Sequence, residues 1–105
     1  MIQHIVLLRL RPPHTPDEPA LQELERDTHR LGDAVPAIKE MRFGRNVTRR
    51  ADAHDYALVA LFVDEAALAD YLDHPAHREV SARWAAVSDR AVADLYETPS
   101  PHAEE

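Results

Sequence analysis

Tyr71, His74 and His77 place one phenol and two imidazoles within seven residues, with Pro75 between the histidines. These are the side-chain types of general acid/base chemistry. An imidazole takes up and returns a proton near neutral pH, and a phenol donates a hydrogen bond to an oxygen that is gaining negative charge. The chain has no cysteine, so thiolate nucleophiles, disulfides and cysteine metal sites are excluded together. It has only two glycines and no glycine-rich phosphate loop, so any catalysis is expected to rest on His, Tyr and carboxylates, with no cofactor.

The elements that must position these groups are legible in the patterning. Proline suits a first helical position and disfavours helical geometry in the residue before it, so His74 is expected at a break between a helix over residues 64–72 and another over 75–88. His77, Val80, Trp84, Val87 and Ala91 recur at spacings of three and four, which puts His77 on the buried face of the second helix. Asp64 is the expected cap of the first.

At the other end of the chain Ile2, His4, Val6, Leu8 and Leu10 alternate with Gln3, Ile5, Leu7 and Arg9, the pattern of a strand apolar on both faces. Residues 56–63 repeat it. Four prolines mark residues 11–19 as a loop, and Leu21, Leu24, Thr28, Leu31 and Val35 then recur at helical spacing, predicting a helix over 17–31 stopped by Gly32 and Asp33. Residues 38–47 are expected as a strand with a bulge near Gly44, and 91–96 as the last strand.

Strand, helix, strand, strand, helix pair, strand is the order of an α+β, ferredoxin-like fold: a four-stranded antiparallel sheet with helices on one face. A chain of 105 residues holds one such domain, expected over residues 1–98, with a flexible tail over 99–105. Helices cover one face only, yet two strands are apolar on both, so the open face calls for a second copy: a homodimer. Each protomer would then enclose a hydrophobic cavity between sheet and helices, walled by His4, Val6, Leu8, Phe62 and Trp84.

Composition narrows the partners. A formal net charge of −7 repels the phosphate backbone, so no nucleic acid is expected. The longest uninterrupted apolar run spans only residues 56–63, far short of a membrane span, and the first residues lack the pattern of a secretory leader; a cytoplasmic location is the expectation. The Asn46 to Thr48 glycosylation pattern is then silent.

Three stretches carry a resemblance. Residues 2–7 of the first strand, Phe43 with Gly44 and Val47, and above all Tyr71, His74, Pro75 and His77 resemble the stress-responsive dimeric α+β barrel (Dabb) family, with local similarity to polyketide cyclases of the olivetolic acid cyclase type. The resemblance implies a dimeric barrel of ferredoxin-like protomers and a polyketide-like or small aromatic ligand. It implies an intramolecular aldol-type cyclisation with His77 as general base, Tyr71 as hydrogen-bonding partner of a substrate carbonyl and His4 as a polar group of the pocket wall.

Other readings stand beside this one. A noncatalytic stress-responsive protein that binds ligands or partners, and a cofactor-independent aromatic monooxygenase, use the same architecture. His77 and His4 also fit as satisfied core histidines, Tyr71 as a ring buried beside Leu68, Trp84 as core, and His74 as a cap at the helix junction. A metal held by His4, His74 and His77 would lack a fourth ligand.

Overall fold

The computed structural model describes residues 1–97; the expected tail at 99–105 lies outside the described residues. Strand β1 (Ile2–Leu10) is followed by helix α1 (Pro19–His29), a single helical turn α2 (Leu31–Ala34), strands β2 (Glu40–Arg45) and β3 (Tyr56–Phe62), helices α3 (Glu65–Asp73) and α4 (Pro75–Val87), and strand β4 (Ser88–Tyr96). The strands form one antiparallel sheet in the order β2-β3-β1-β4, the ferredoxin-like arrangement expected from the element order.

The two doubly apolar strands, β1 and β3, take the centre of the sheet, where both edges of a strand are paired. Ile2, His4, Leu8 and Leu10 of β1 and Tyr56, Leu58, Ala60 and Phe62 of β3 face the helices and are buried. The helices answer with Leu21, Leu24, Thr28, Leu31 and Val35 from α1, α2 and the residue after it, Leu68 and Tyr71 from α3, and Val80 and Trp84 from α4. The polar members of this core are satisfied in series. Trp84 Nε1–H donates to Thr28 Oγ1 at 2.9 Å, Thr28 Oγ1 donates to the Leu24 carbonyl at 2.7 Å, and Ser88 Oγ donates to the Trp84 carbonyl at 2.7 Å. These bonds tie α1, α4 and the start of β4 together inside the apolar layer.

Three boundaries differ from expectation. Gly32 does not stop the helical stretch. The chain breaks at Arg30, resumes as α2 and ends at Val35, whose backbone is extended. Gly44 makes no bulge: β2 pairs with β3 in unbroken register from Glu40 opposite Leu61 to Arg45 opposite Tyr56, and Gly44 lies opposite Ala57 on the open face. Finally, β4 begins at Ser88, so Ala91 belongs to a strand and not to the apolar stripe of α4. The backbone ladder to β1, from Ile2 opposite Tyr96 to Leu10 opposite Ser88, holds this strand without an apolar pattern of its own.

One core residue yields a stability prediction. The Tyr56 ring stacks on Phe43, centroids 5.8 Å apart and 8° from parallel, and lies 4.8 Å from Trp84. Among the described residues its buried hydroxyl has no partner within hydrogen-bonding geometry; the Glu25 carboxylate lies nearby but is held by Arg45 at 2.5 and 2.8 Å. A buried unsatisfied hydroxyl costs about 1–3 kcal/mol. Tyr56→Phe is therefore expected to raise the free energy of unfolding by about 1 kcal/mol in a urea titration. A loss of that size would show instead that the hydroxyl is bonded.

Candidate functional site

The helix junction singled out by its residue types is built as a corner. Asp64 caps α3 by accepting from the Ala67 N–H at 2.8 Å, and α3 ends at Asp73 before an extended His74. Pro75 opens α4, and His74 Nδ1 accepts from the Ala76 N–H at 3.1 Å. His74 is thus spent on the cap. The corner turns the last turn of α3 and the first turn of α4 toward one space, bringing the Tyr71 and His77 ring centroids to 4.3 Å.

The orientation of His77 follows from its partner. Its Nδ1 lies 3.2 Å from the Leu72 carbonyl, and a carbonyl only accepts, so Nδ1 carries the proton. Nε2 is then the nitrogen left to take up another. Burial holds the His77 pKa below its ordinary 6.5; the Leu72 carbonyl partly opposes this, and smaller electrostatic contributions from His4, Arg90 and His74 add to it. At neutral pH the ring is therefore an uncharged base. The Tyr71 side chain is 2 % exposed, and burial alone pushes its phenol up to about 12, so it remains a proton donor across the working range.

His4 reaches the same space from β1. Its ring is 5.8 Å from Tyr71, and its Nδ1 is 2.6 Å from an Asp94 carboxylate oxygen on the neighbouring β4 position. A carboxylate likewise accepts, so this imidazole also carries a proton on Nδ1. His4 is buried whereas Asp94 is half-exposed, so the pair bridges core and solvent.

Between sheet and helices lies a cavity of about 270 Å³. His4, Val6, Leu8, Tyr71, His77 and Trp84 line it, together with Leu31, Phe43, Leu58, Leu72 and Val80 and with Thr28, Ser81, Arg90, Val92 and Asp94. Phe62 is the correction: it is absent from the wall. Fully buried on β3, it packs against Tyr71 at 5.1 Å and His4 at 6.4 Å, and so backs the two reactive rings without facing the space they line. At about 30 Å³ per water the cavity holds roughly nine water volumes, the size of a single-ring or short-chain ligand.

Asp94, Arg90 and Ser81 line the cavity, although patterning did not single them out. The only available signal was the alternation of Ser88, Arg90, Val92 and Asp94, which places them on one face of a strand. Which face that is depends on the β1–β4 register. Among the described residues no group of three or more His, Asp or Glu converges as a metal-holding set.

Comparisons with known proteins agree with this architecture. Residues 2–97 match the family described as the stress responsive A/B barrel domain, Dabb. An uncharacterized Streptomyces coelicolor protein is 31% identical over 94 residues, covering 90% of this chain and 97% of that protein. The solved structure of a dimeric ferredoxin-like protein of unknown function from Thermobifida fusca is similar with a TM-score of 0.79 and 32% identity, over 90% of this chain and 88% of that one. A hydroxynitrile lyase from Passiflora edulis shares the fold, with a TM-score of 0.76 and 21% identity over 94% of this chain and 96% of that one. With its sheet order, its helical corner and nearly all of its described length matching, the chain belongs to the stress responsive A/B barrel domain family.

Proposed function

We propose that this protein is a small homodimeric acid/base catalyst, polyketide cyclase-like, acting without a cofactor on a compact carbonyl compound bound in the cavity. The observation that carries the reading is the pairing of a neutral His77, oriented by the Leu72 carbonyl, with the buried Tyr71 phenol 4.3 Å away in a largely apolar cavity.

The chemistry suits a methylene between two carbonyls. His77 Nε2 takes a proton from that carbon, and the Tyr71 hydroxyl donates a hydrogen bond to the carbonyl oxygen as the enolate forms. In an extended substrate the enolate carbon attacks a carbonyl further along the same molecule. The new carbon–carbon bond closes a ring, and the imidazolium returns its proton to the resulting alkoxide. His4, held by Asp94, places a second imidazole at the same wall. The hydroxynitrile lyase among the structural neighbours is an enzyme by name, which supports chemistry in a cavity of this fold.

The dimer part of the reading rests on the open face of the sheet. Ile5, Leu7, Val59, Leu61 and Leu95 lie there with Ala57, Ala91 and Ala93, and Leu7, Val59 and Leu95 are exposed in the single chain. Such a patch favours burial against a second copy, and the Thermobifida fusca protein is described as dimeric.

The test of the chemistry is deuterium incorporation at the central carbon of pentane-2,4-dione, followed by NMR. The wild type is expected to accelerate exchange above the buffer rate, and Tyr71→Phe to lower that acceleration about 10²-fold, the worth of one oxyanion donor. No acceleration by the wild type, with binding retained, would leave a ligand-binding protein without catalysis.

A further inference from the structure

We infer that Arg90 and Ser81 form a carboxylate-binding end of the cavity, so that the ligand is a keto acid held with its carboxylate away from the acid/base groups. This deepens the proposed function and rests on it for the orientation of the reacting end.

The wall contributed by β4 is bipolar. Arg90, Val92 and Asp94 all face the cavity, with Arg90 opposite Leu8 and Asp94 opposite His4 on β1. Four residues of strand separate the two charged positions by roughly 13 Å. Asp94 is engaged by His4 at 2.6 Å, whereas among the described residues Arg90 makes no ion pair. Five other arginines, at positions 11, 30, 45, 50 and 83, each meet a carboxylate; of the six that meet none among the described residues, Arg90 is the one that lines the cavity.

Arg90 is nevertheless held in place. Its Nη1 donates to Ser81 Oγ at 2.9 Å, so one of five guanidinium N–H groups is used, and the others, on an exposed residue at the rim of the cavity, are free to exchange water for a ligand. A planar guanidinium matches a carboxylate with two parallel hydrogen bonds. A single cation also balances a singly charged carboxylate better than a phosphate dianion. Both Arg90 and Ser81 line the cavity, so an anion seated there belongs to the same ligand that reaches His77.

The spacing orients that ligand. Ser81 lies one helical turn beyond His77 on α4, about 6 Å along the axis and on the same face. The reacting carbon is therefore expected a few bonds from the carboxylate. Asp94 repels an anion from the other end, and Val92 and Trp84 suit the hydrocarbon between. The charge of Arg90 also contributes to keeping His77 unprotonated, which couples the two ends.

The probe is 4,6-dioxoheptanoate, whose carboxylate stands a few bonds from a methylene between two ketones, compared with its uncharged methyl ester. Binding is read from the emission of Trp84, the chain's single tryptophan and part of the cavity wall. The wild type is expected to bind the acid about tenfold or more tighter than the ester, the worth of a charge-assisted hydrogen-bonded pair. Arg90→Gln is expected to bring the acid to the ester's affinity, and Arg90→Lys to restore part of the preference. Equal binding of acid and ester by the wild type, binding of neither, or a preference that survives Arg90→Gln overturns the inference.

Deuterium exchange at the same methylene separates the two readings. Exchange accelerated equally in acid and ester, without an affinity difference, removes the carboxylate site and leaves the acid/base reading intact. Arg90-dependent binding of the acid without accelerated exchange upholds the carboxylate site while removing the acid/base reading.

Discussion

His77→Gln is expected to lower the protein's acceleration of methylene exchange by about 10²- to 10⁴-fold, the typical contribution of a positioned general base. Glutamine keeps much of the side-chain volume and an N–H for the Leu72 carbonyl, so the loss would report the missing basic nitrogen and not a collapsed corner. The pH profile supplies the signature. Burial lowers the His77 pKa from 6.5, so the rate is expected to hold as pH falls through 6.5 and to drop only below it, as the folded-state imidazole protonates. On the alkaline side Tyr71, pushed up to about 12, remains a donor and sets no limb near neutrality.

Stability should follow the same group. A histidine whose folded pKa lies below its unfolded value binds fewer protons in the native state. It contributes stability that is fully present above the unfolded pKa and is lost as pH falls through the folded one. Urea midpoints of the wild type should therefore decline on acidification below about 6.5, and His77→Gln should flatten that part of the decline. A variant that keeps both the rate and its acid limb would take the base away from His77.

The parts of this site that were legible in the sequence are those whose geometry is local. Tyr71 and His77 meet because Pro75 breaks the helix between them, and that is written in the adjacent residues. The alternation of β1 likewise put His4, Val6 and Leu8 on one side of a strand. Phe62 shows the limit of such reasoning. It alternates correctly and is fully buried, but facing the helices does not decide whether a side chain borders the cavity or backs the residues that do. That is settled by how large rings fill the layer.

Asp94 and Arg90 were missed for a different reason. Their strand is held through its ladder to β1, so side chains on both faces remain exposed and little hydrophobic period is left to read. The expected bulge at Gly44 failed similarly. Glycine weakens a strand, but here it pairs in register opposite Ala57, where an added Cβ would meet nothing within 4 Å. The sheet did not require this glycine, whereas a surface approaching the open face would find its backbone accessible.

That open face carries the second large effect. Val59→Asp is expected to convert the proposed dimer into a monomer, weakening association by about 10²-fold or more as each buried carboxylate costs several kcal/mol. The face is large enough for stable pairing. Four strands at about 4.8 Å and some seven residues at about 3.3 Å project roughly 19 by 23 Å, in keeping with the ~800 Å² of accessible surface that each partner of an ordinary interface buries.

Val59 lies near its middle, opposite Ile5 on β1 and Arg42 on β2, and is 37% exposed in the single chain. An aspartate there remains solvated in a monomer and can meet Arg42, so the protomer should keep its fold and its circular dichroism. In a two-fold dimer every interface residue enters twice, so one substitution places two carboxylates in the buried patch. Light scattering at micromolar concentration should therefore give the dimer mass for wild type and the monomer mass for Val59→Asp. A wild-type monomer, or a variant that still pairs, would assign the apolar face to something other than a second copy. The helix-side cavity would remain as described, because Val59 points away from it.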